Sequence, residues 1–243
     1  MTIYVLIVGT QSEENMFEQV STVEVGGYTL SGDRQGLVTV KEIDTGEVIR
    51  TFLMEEGIVV REVFLLDGGK TVVASQKKQA IFWDLDTGEE IARLNQRVYG
   101  FSHDETKLFT YKYPDGMFLY SYPELTQICT FAKKRMPPGP FYFRFSPDNR
   151  FLVVMFATGF PSSDKNYPRR NPVRSAYAYA KLFKLSTCEE IQEFSQLRAL
   201  SEGKFSSDSR FYDFKKTKHL SLNNSITKWW RFDLITYELT ELS

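Results

Sequence analysis

Reactive side chains are scarce in this sequence. Its two histidines, His103 and His219, stand 116 positions apart, and its only cysteines are Cys129 and Cys188. With no HExxH spacing and no CxxC pair, no metal site of recognisable form can be written. A nucleophile elbow, a Walker loop and a dinucleotide-binding glycine pattern are missing too. Long apolar runs are also few. The run Ile3 to Val8 is short, has no basic stretch before it and is followed by polar residues, so it reads neither as a signal peptide nor as a membrane span. The run Phe151 to Phe160 is about half of what a membrane helix needs and reads as a buried strand. These absences lead us to expect no catalytic residues, no cofactor, no small-molecule substrate and no membrane. Cys129 and Cys188 fall at matching places in two repeats and read as small packing residues rather than a disulfide, which makes a reducing, cytoplasmic setting the simpler expectation.

What is abundant is aromatic. Phe and Tyr number 20 and 13, and aromatics make up 15% of a chain that is 42% hydrophobic and 25% charged. This is a globular composition rich in side chains that favour strands and fill the space between sheets.

A phrase repeats along the chain, first as Ile43 to Phe52 (IDTGEVIRTF) and again as Leu85 to Leu94 (LDTGEEIARL), a shift of 42 residues. Degraded copies follow at Tyr122 to Phe131, Leu185 to Phe194 and Leu234 to Leu242. Each phrase predicts a hairpin: an alternating strand such as Leu37 to Ile43, a tight turn, then a short strand such as Glu47 to Phe52. Gly46 and Gly88 supply a positive φ to the turn, and Asp44 and Asp86 are placed to accept from nearby amides. Upstream of the later phrases lies a second turn signal: Asp67-Gly-Gly-Lys70, Ser102-His-Asp-Glu105, Ser146-Pro-Asp-Asn149 and Ser206-Ser-Asp-Ser209. Each unit therefore holds about four strands.

Four antiparallel strands at this period are the requirement of a propeller blade, which buries its faces only against neighbouring blades. The stretch Ala80 to Ile91, with Trp83-Asp84, resembles the closing part of a WD repeat, and Phe143 to Val153 resembles the opening of one. The chain is thus similar to a divergent WD-repeat propeller. Only one unit carries Trp-Asp; the others show Lys41-Glu42, Tyr120-Ser121, Phe183-Lys184 and Phe232-Asp233, and two histidines cannot supply the family's side-chain tetrad repeatedly. The fold expected is an all-β propeller of about five four-stranded antiparallel blades, or a partial ring of a larger one. It would form a single domain over 1–243 with units at about 17–56, 57–95, 96–135, 136–196 and 197–243. Residues 2 to 9 are candidates for a closing strand.

The fourth phrase ends 63 residues after the third, against steps of 42 and 37 before it. The surplus is Pro161 to Arg174, a loop with three prolines and no apolar periodicity. Between Lys133 and Lys184 eleven Lys and Arg face two acids, a local net of +9, while the rest of the chain carries a net of −10. Candidate partner-binding residues are Lys133, Lys134, Arg135, Lys165, Arg169, Arg170 and Arg174, with Tyr167 placed to stack. The bland alternative scatters these positions over several faces of a propeller. We expect a protein-protein interaction scaffold within a macromolecular complex. RNA or another polyanion is the alternative partner, which a weak resemblance of residues 143 to 194 to translation-initiation propellers also implies. A propeller enzyme with carboxylates at the axis is the minor alternative, although Asp44, Glu47, Asp86, Glu89 and Glu90 have an adequate role in the turns. Trp229-Trp230 reads either as an aromatic anchor or, because neighbours on a strand face opposite ways, as core packing for at least one of the two.

Overall fold

The computed structural model describes residues 21–112, 115–131, 142–157, 177–198, 203–221 and 224–242. They form strands only, in five four-stranded antiparallel blades. The first blade holds β1 (Thr22–Val25), β2 (Tyr28–Gly32), β3 (Leu37–Glu42) and β4 (Val48–Leu53), each paired to the next. The second holds β5 (Glu62–Leu66), β6 (Thr71–Ser75), β7 (Ala80–Asp84) and β8 (Glu90–Leu94), and the third β9 (Arg97–Phe101), β10 (Lys107–Lys112), β11 (Gly116–Ser121) and β12 (Gln127–Phe131). The fourth holds β13 (Tyr142–Phe145), β14 (Phe151–Ala157), β15 (Tyr177–Lys184) and β16 (Glu189–Arg198). The fifth holds β17 (Lys204–Phe205), β18 (Phe211–Ser221), β19 (Asn224–Asp233) and β20 (Leu239–Leu242), and a single pair, Leu197 with Lys216, joins these last two edge to edge.

The chain divides into two compact units, Met1–Ile128 and Cys129–Ser243. In the first, alternating strand residues bury a core between the first two blades, with Leu30, Val38, Val63, Val72 and Trp83 at its centre and Trp83 stacked on Phe52 at 4.9 Å. A second core holds Val73, Phe82, Val98 and Leu108, between the second and third blades. In the second unit Phe151, Val153, Leu182, Phe194, Tyr212, Phe214 and Phe232 form the corresponding core. The apolar run from Phe151 is a strand as expected, described over Phe151–Ala157 and buried from Phe151 to Phe156. Residues 2 to 9 lie outside the described residues. Among the described residues no helix is long and apolar enough to cross a membrane.

Every repeated phrase begins where a third strand ends: Glu42, Asp84, Ser121, Lys184 and Asp233 close β3, β7, β11, β15 and β19. The residue that follows donates its N–H to the last carbonyl of the blade's first turn, as Ile43 to Gly27, Leu85 to Lys70, Tyr122 to Thr106, Leu185 to Arg150 and Leu234 to Arg210. Gly46 and Gly88 take φ of 71° and 80°, and the degraded copies put Leu125, Cys188 and Tyr237 at 53°, 62° and 59° in the same place. The aspartate roles differ from expectation. The turn amide is capped by Asp84, whose Oδ1 accepts from Thr87 N at 2.7 Å, and by Asp233, which accepts from Ile235 N and Thr236 N. A carboxylate two positions before Asp86 reaches the amides better, because it ends the strand and points across the turn.

The cysteines also correct the sequence reading. Cys129 on β12 and Cys188 before β16 are joined as a disulfide with a Cα separation of 5.5 Å. They are not free packing residues, and the argument for a reducing setting falls with that reading. Nor are their places equivalent: Cys129 lies on a fourth strand, whereas Cys188 holds the left-handed turn position that Leu125 fills in the preceding copy.

Candidate functional site

Strand direction alternates within a blade, so the first-to-second and third-to-fourth turns leave from one end of each sheet. The second-to-third connection and the arrival from the previous blade share the other end. At the turn end the connections are short and repetitive. In three blades Ser102, Ser146 and Ser206 donate to Asp104, Asp148 and Asp208 at 2.6, 2.7 and 2.5 Å and accept from the N–H of Lys107, Phe151 and Phe211. Burial works against the charge of Asp104 and Asp148, but hydrogen bonds from the serines and from Thr106 and Arg150 outweigh it and hold both carboxyls below the usual aspartate range. In each turn the serine and aspartate thus hold the backbone in place.

The opposite end carries the variation. In the first unit the connections are pinned to one another around Gln76, which is 1% exposed and donates to Glu55 O at 3.1 Å and Ile58 O at 2.7 Å. Gly36 is required there: a Cβ would stand 2.4 Å from Glu55 O at a φ of 91°. In the second unit this end is where segments 132–141 and 158–176 attach. Phe131 and Tyr142 flank the former, Ala157 and Tyr177 the latter, and the pairings Tyr142 with Met155 and Ala157 with Ala178 put three of these anchors at one end of the fourth sheet. All eight candidate residues, Lys133, Lys134, Arg135, Lys165, Tyr167, Arg169, Arg170 and Arg174, lie in these two segments, outside the described residues. The segments carry seven Lys and Arg and one acid, Asp164.

The other cations of the basic stretch do not gather. Arg144 is on β13 over the Tyr142 ring at 5.4 Å; Arg150 is in the turn at the opposite end, bound to Asp148 at 2.5 Å. Lys181 on β15 reaches Glu190 and Glu193 at 2.7 and 3.3 Å. Farther on, Arg231 engages Asp213 through two bonds of 2.8 Å and Arg210 reaches Asp233 at 3.2 Å. The described part of the second unit holds twelve Lys and Arg against nine Asp and Glu, so most of the unit's basic excess resides in the two segments.

Sequence reading missed two polar clusters in the first unit. Arg97, at the start of β9, forks onto Glu62, at the start of β5, with Nε 2.9 Å from Oε2, and its guanidinium lies 4.3 Å from the Tyr99 ring centre. Burial pushes the Glu62 carboxyl up despite the bonds from Arg97. At the turn end, Tyr122 OH and Thr71 Oγ1 both donate to Asp67 Oδ2, at 2.5 and 2.7 Å, and burial with that bond raises the Tyr122 phenol. The one available signal was a charge opening each of two otherwise apolar first strands, Glu62 and Arg97. Of the tryptophan pair, Trp230 packs against the core of the second unit, while Trp229 is 39% exposed with Lys215 Nζ 4.8 Å from its ring centre. Alternation along β19 separates them as expected. Among the described residues no three His, Cys, Asp or Glu converge to hold a metal ion.

Fold and connections define a β-propeller-like repeat protein. In solved structures it is similar to hydrazine synthase of Kuenenia stuttgartiensis, with a TM-score of 0.57 at 11% identity, over 89% of this chain and 62% of that one. The chain thus spans less than two thirds of the length of that structure. No protein-family model and no curated protein matches the sequence. With 1328 solved chains similar in fold, the likeness selects no activity.

Proposed function

We propose that this protein is a non-enzymatic interaction scaffold, a divergent WD-repeat propeller over 1–243 that presents the connections of its fourth blade to an acidic protein partner in a macromolecular complex. One observation carries the reading: the two segments holding seven cations and a single acid attach at the variable end of one sheet, while Lys181, Arg210 and Arg231 of the same unit are each paired with acids. Cations on loops held by a rigid scaffold raise encounter rates and fix the register of an acidic partner. The WD kinship is supported by Trp83, buried against Phe52, and Asp84, which caps the turn behind it. A compartment in which the Cys129–Cys188 bond persists fits the chain better than the reducing cytoplasm. The enzyme in the fold comparison lends nothing to an activity here.

A polyanion is the second reading, because the same cations, with Tyr167 among them, suit phosphates and bases. An affinity pull-down separates the two, comparing the whole chain with a variant carrying Lys165→Glu, Arg169→Glu, Arg170→Glu and Arg174→Glu, with and without nuclease. Loss of specific proteins in the variant, untouched by nuclease, is the expected result. Loss that nuclease reproduces gives first place to RNA, and unchanged capture removes the segment from the site.

A further inference from the structure

At the turn end of the first unit a cavity of about 230 Å³ opens between the first turns of three successive blades. Its size is below the roughly 300 Å³ at which drug-sized ligand pockets begin and suits one side chain. Val25 and Leu65 give it an apolar floor, and His103, Asp104 and Glu105 stand in its wall. The space exists because the first two turns are glycine pairs where later blades have Pro147-Asp148 and Ser207-Asp208. A Cβ at Gly26 would only touch Leu65, at 4.0 Å, and one at Gly68 would meet nothing within 4 Å. Hydrogen bonds tie the wall to the turns: Glu105 Oε2 accepts from Asp67 N at 2.8 Å, and Asp104 Oδ1 accepts from Ser102 and Thr106. The described residues of the unit are acidic, with 17 Asp and Glu against 11 Lys and Arg, a formal net of −6.

We infer that this notch is a docking site for a single lysine or arginine side chain on a basic segment of a partner protein. The alkyl stem lies on Val25 and Leu65 between the glycine turns, and the charged head meets Asp104 and Glu105. An apolar floor beside carboxylates suits such a side chain, whose stem and head need different surroundings. The negative field of the unit raises the local concentration of a basic segment and disfavours an acidic one. The inference stands whether or not the basic segments of the fourth blade bind an acidic partner.

The test is an amide NMR titration of the labelled full-length protein with N-acetyl-arginine amide and N-acetyl-lysine amide, with N-acetyl-norleucine amide as the uncharged control. Saturable shifts at Gly26, Gly68, Gly69 and Glu105 with the cationic probes, at least several-fold weaker with norleucine, are expected. Gly68→Asn fills the notch with a residue that tolerates the left-handed backbone, and Glu105→Lys reverses one wall charge; each should weaken the cationic probes about tenfold or more while the remaining spectrum stays native. Shifts spread evenly over surface acids, or shifts at the notch that survive both substitutions in a native spectrum, overturn the proposal. Equal response to norleucine overturns it as well, since the charged wall would then be irrelevant.

Discussion

The two units build the same blade by different means. The first is acidic, with 11 basic and 20 acidic residues, and makes two of its three third-to-fourth turns with Gly46 and Gly88 and the other with Leu125; the second is basic, with 19 and 11, and puts Cys188 and Tyr237, with no glycine, into the same left-handed positions. Connections in the first are short and knotted around Gln76, whereas the fourth blade admits two long basic segments at one end and is fastened by a disulfide through the turn at the other. Strand pairing and core packing keep the blade, so turn chemistry and connection length are free to differ. That freedom is where the units acquire opposite charge.

The comparison is broken most severely through the core. Trp83→Ala removes a 6%-exposed ring stacked on Phe52 and should lower stability by about 3–5 kcal/mol in urea unfolding. Should the units melt separately, only the transition of the first moves. The next effect belongs to the second unit. Opening the 59-residue separation closed by Cys129 and Cys188 is worth about 4 kcal/mol by loop-closure entropy, so Cys188→Ser should lower the thermal midpoint and make it insensitive to reductant. Cys188→Gly should lose about 1 kcal/mol less, because only glycine takes the φ of 62° at that position without strain. Equal losses would mean that the backbone strain is absent.

A smaller contrast uses the turns alone. Gly46 has φ 71° and a Cβ there would meet nothing within 4 Å, so Gly46→Ala tests backbone conformation without a clash and should cost about 1 kcal/mol. In the second unit Tyr237→Gly works in the opposite sense, gaining less than that because the ring leaves Phe232, 6.3 Å away between centres. A stabilising Gly46→Ala would show that the turn relaxes and that its glycine is incidental.

Those glycines also explain what could be read from the chain. Gly46 and Gly88 made two copies of the phrase conspicuous, and the turn offsets then located the ends of all five third strands, because a left-handed residue at a fixed distance from a strand end is a local demand. Leu125, Cys188 and Tyr237 meet the same demand without its signature residue, so their copies look degraded although their backbone is not. Contacts between blades left far weaker traces. The Glu62–Arg97 pair spans 35 residues and the bond from Tyr122 to Asp67 spans 55; no local pattern encodes partners that meet only when blades stack. The disulfide was misread because the cysteines looked equivalent, whereas Cys188 holds the turn position of Leu125 and Cys129 lies four residues farther along its own copy, on a strand. The basic segments were legible as composition, and their attachment at one sheet end follows from strand direction.

Acid titration makes the finest distinction between the units. In the second, Asp148, Asp208 and Asp233 all have carboxyls held below the ordinary range, Asp148 by bonds from Ser146 and Arg150 that outweigh its burial. A depressed folded value means stability that is present above the unfolded value of about 3.9 and is lost as pH falls through the folded one, so all three act in one direction. In the first unit Asp84, Glu90 and Asp104 behave alike, but Glu62 opposes them: burial raises its carboxyl, so its contribution is fully present at low pH and is lost as pH rises from the ordinary glutamate value through the folded one. Urea midpoints followed downward from neutral pH should therefore fall more steeply for the second unit. Asp148→Asn should flatten that fall, whereas Glu62→Gln should steepen the first unit's by removing the group that offsets it. Parallel curves for Glu62→Gln and the parent would show that the bonds from Arg97 cancel the effect of burial on Glu62, leaving the pair as scaffold with no part in the acid response.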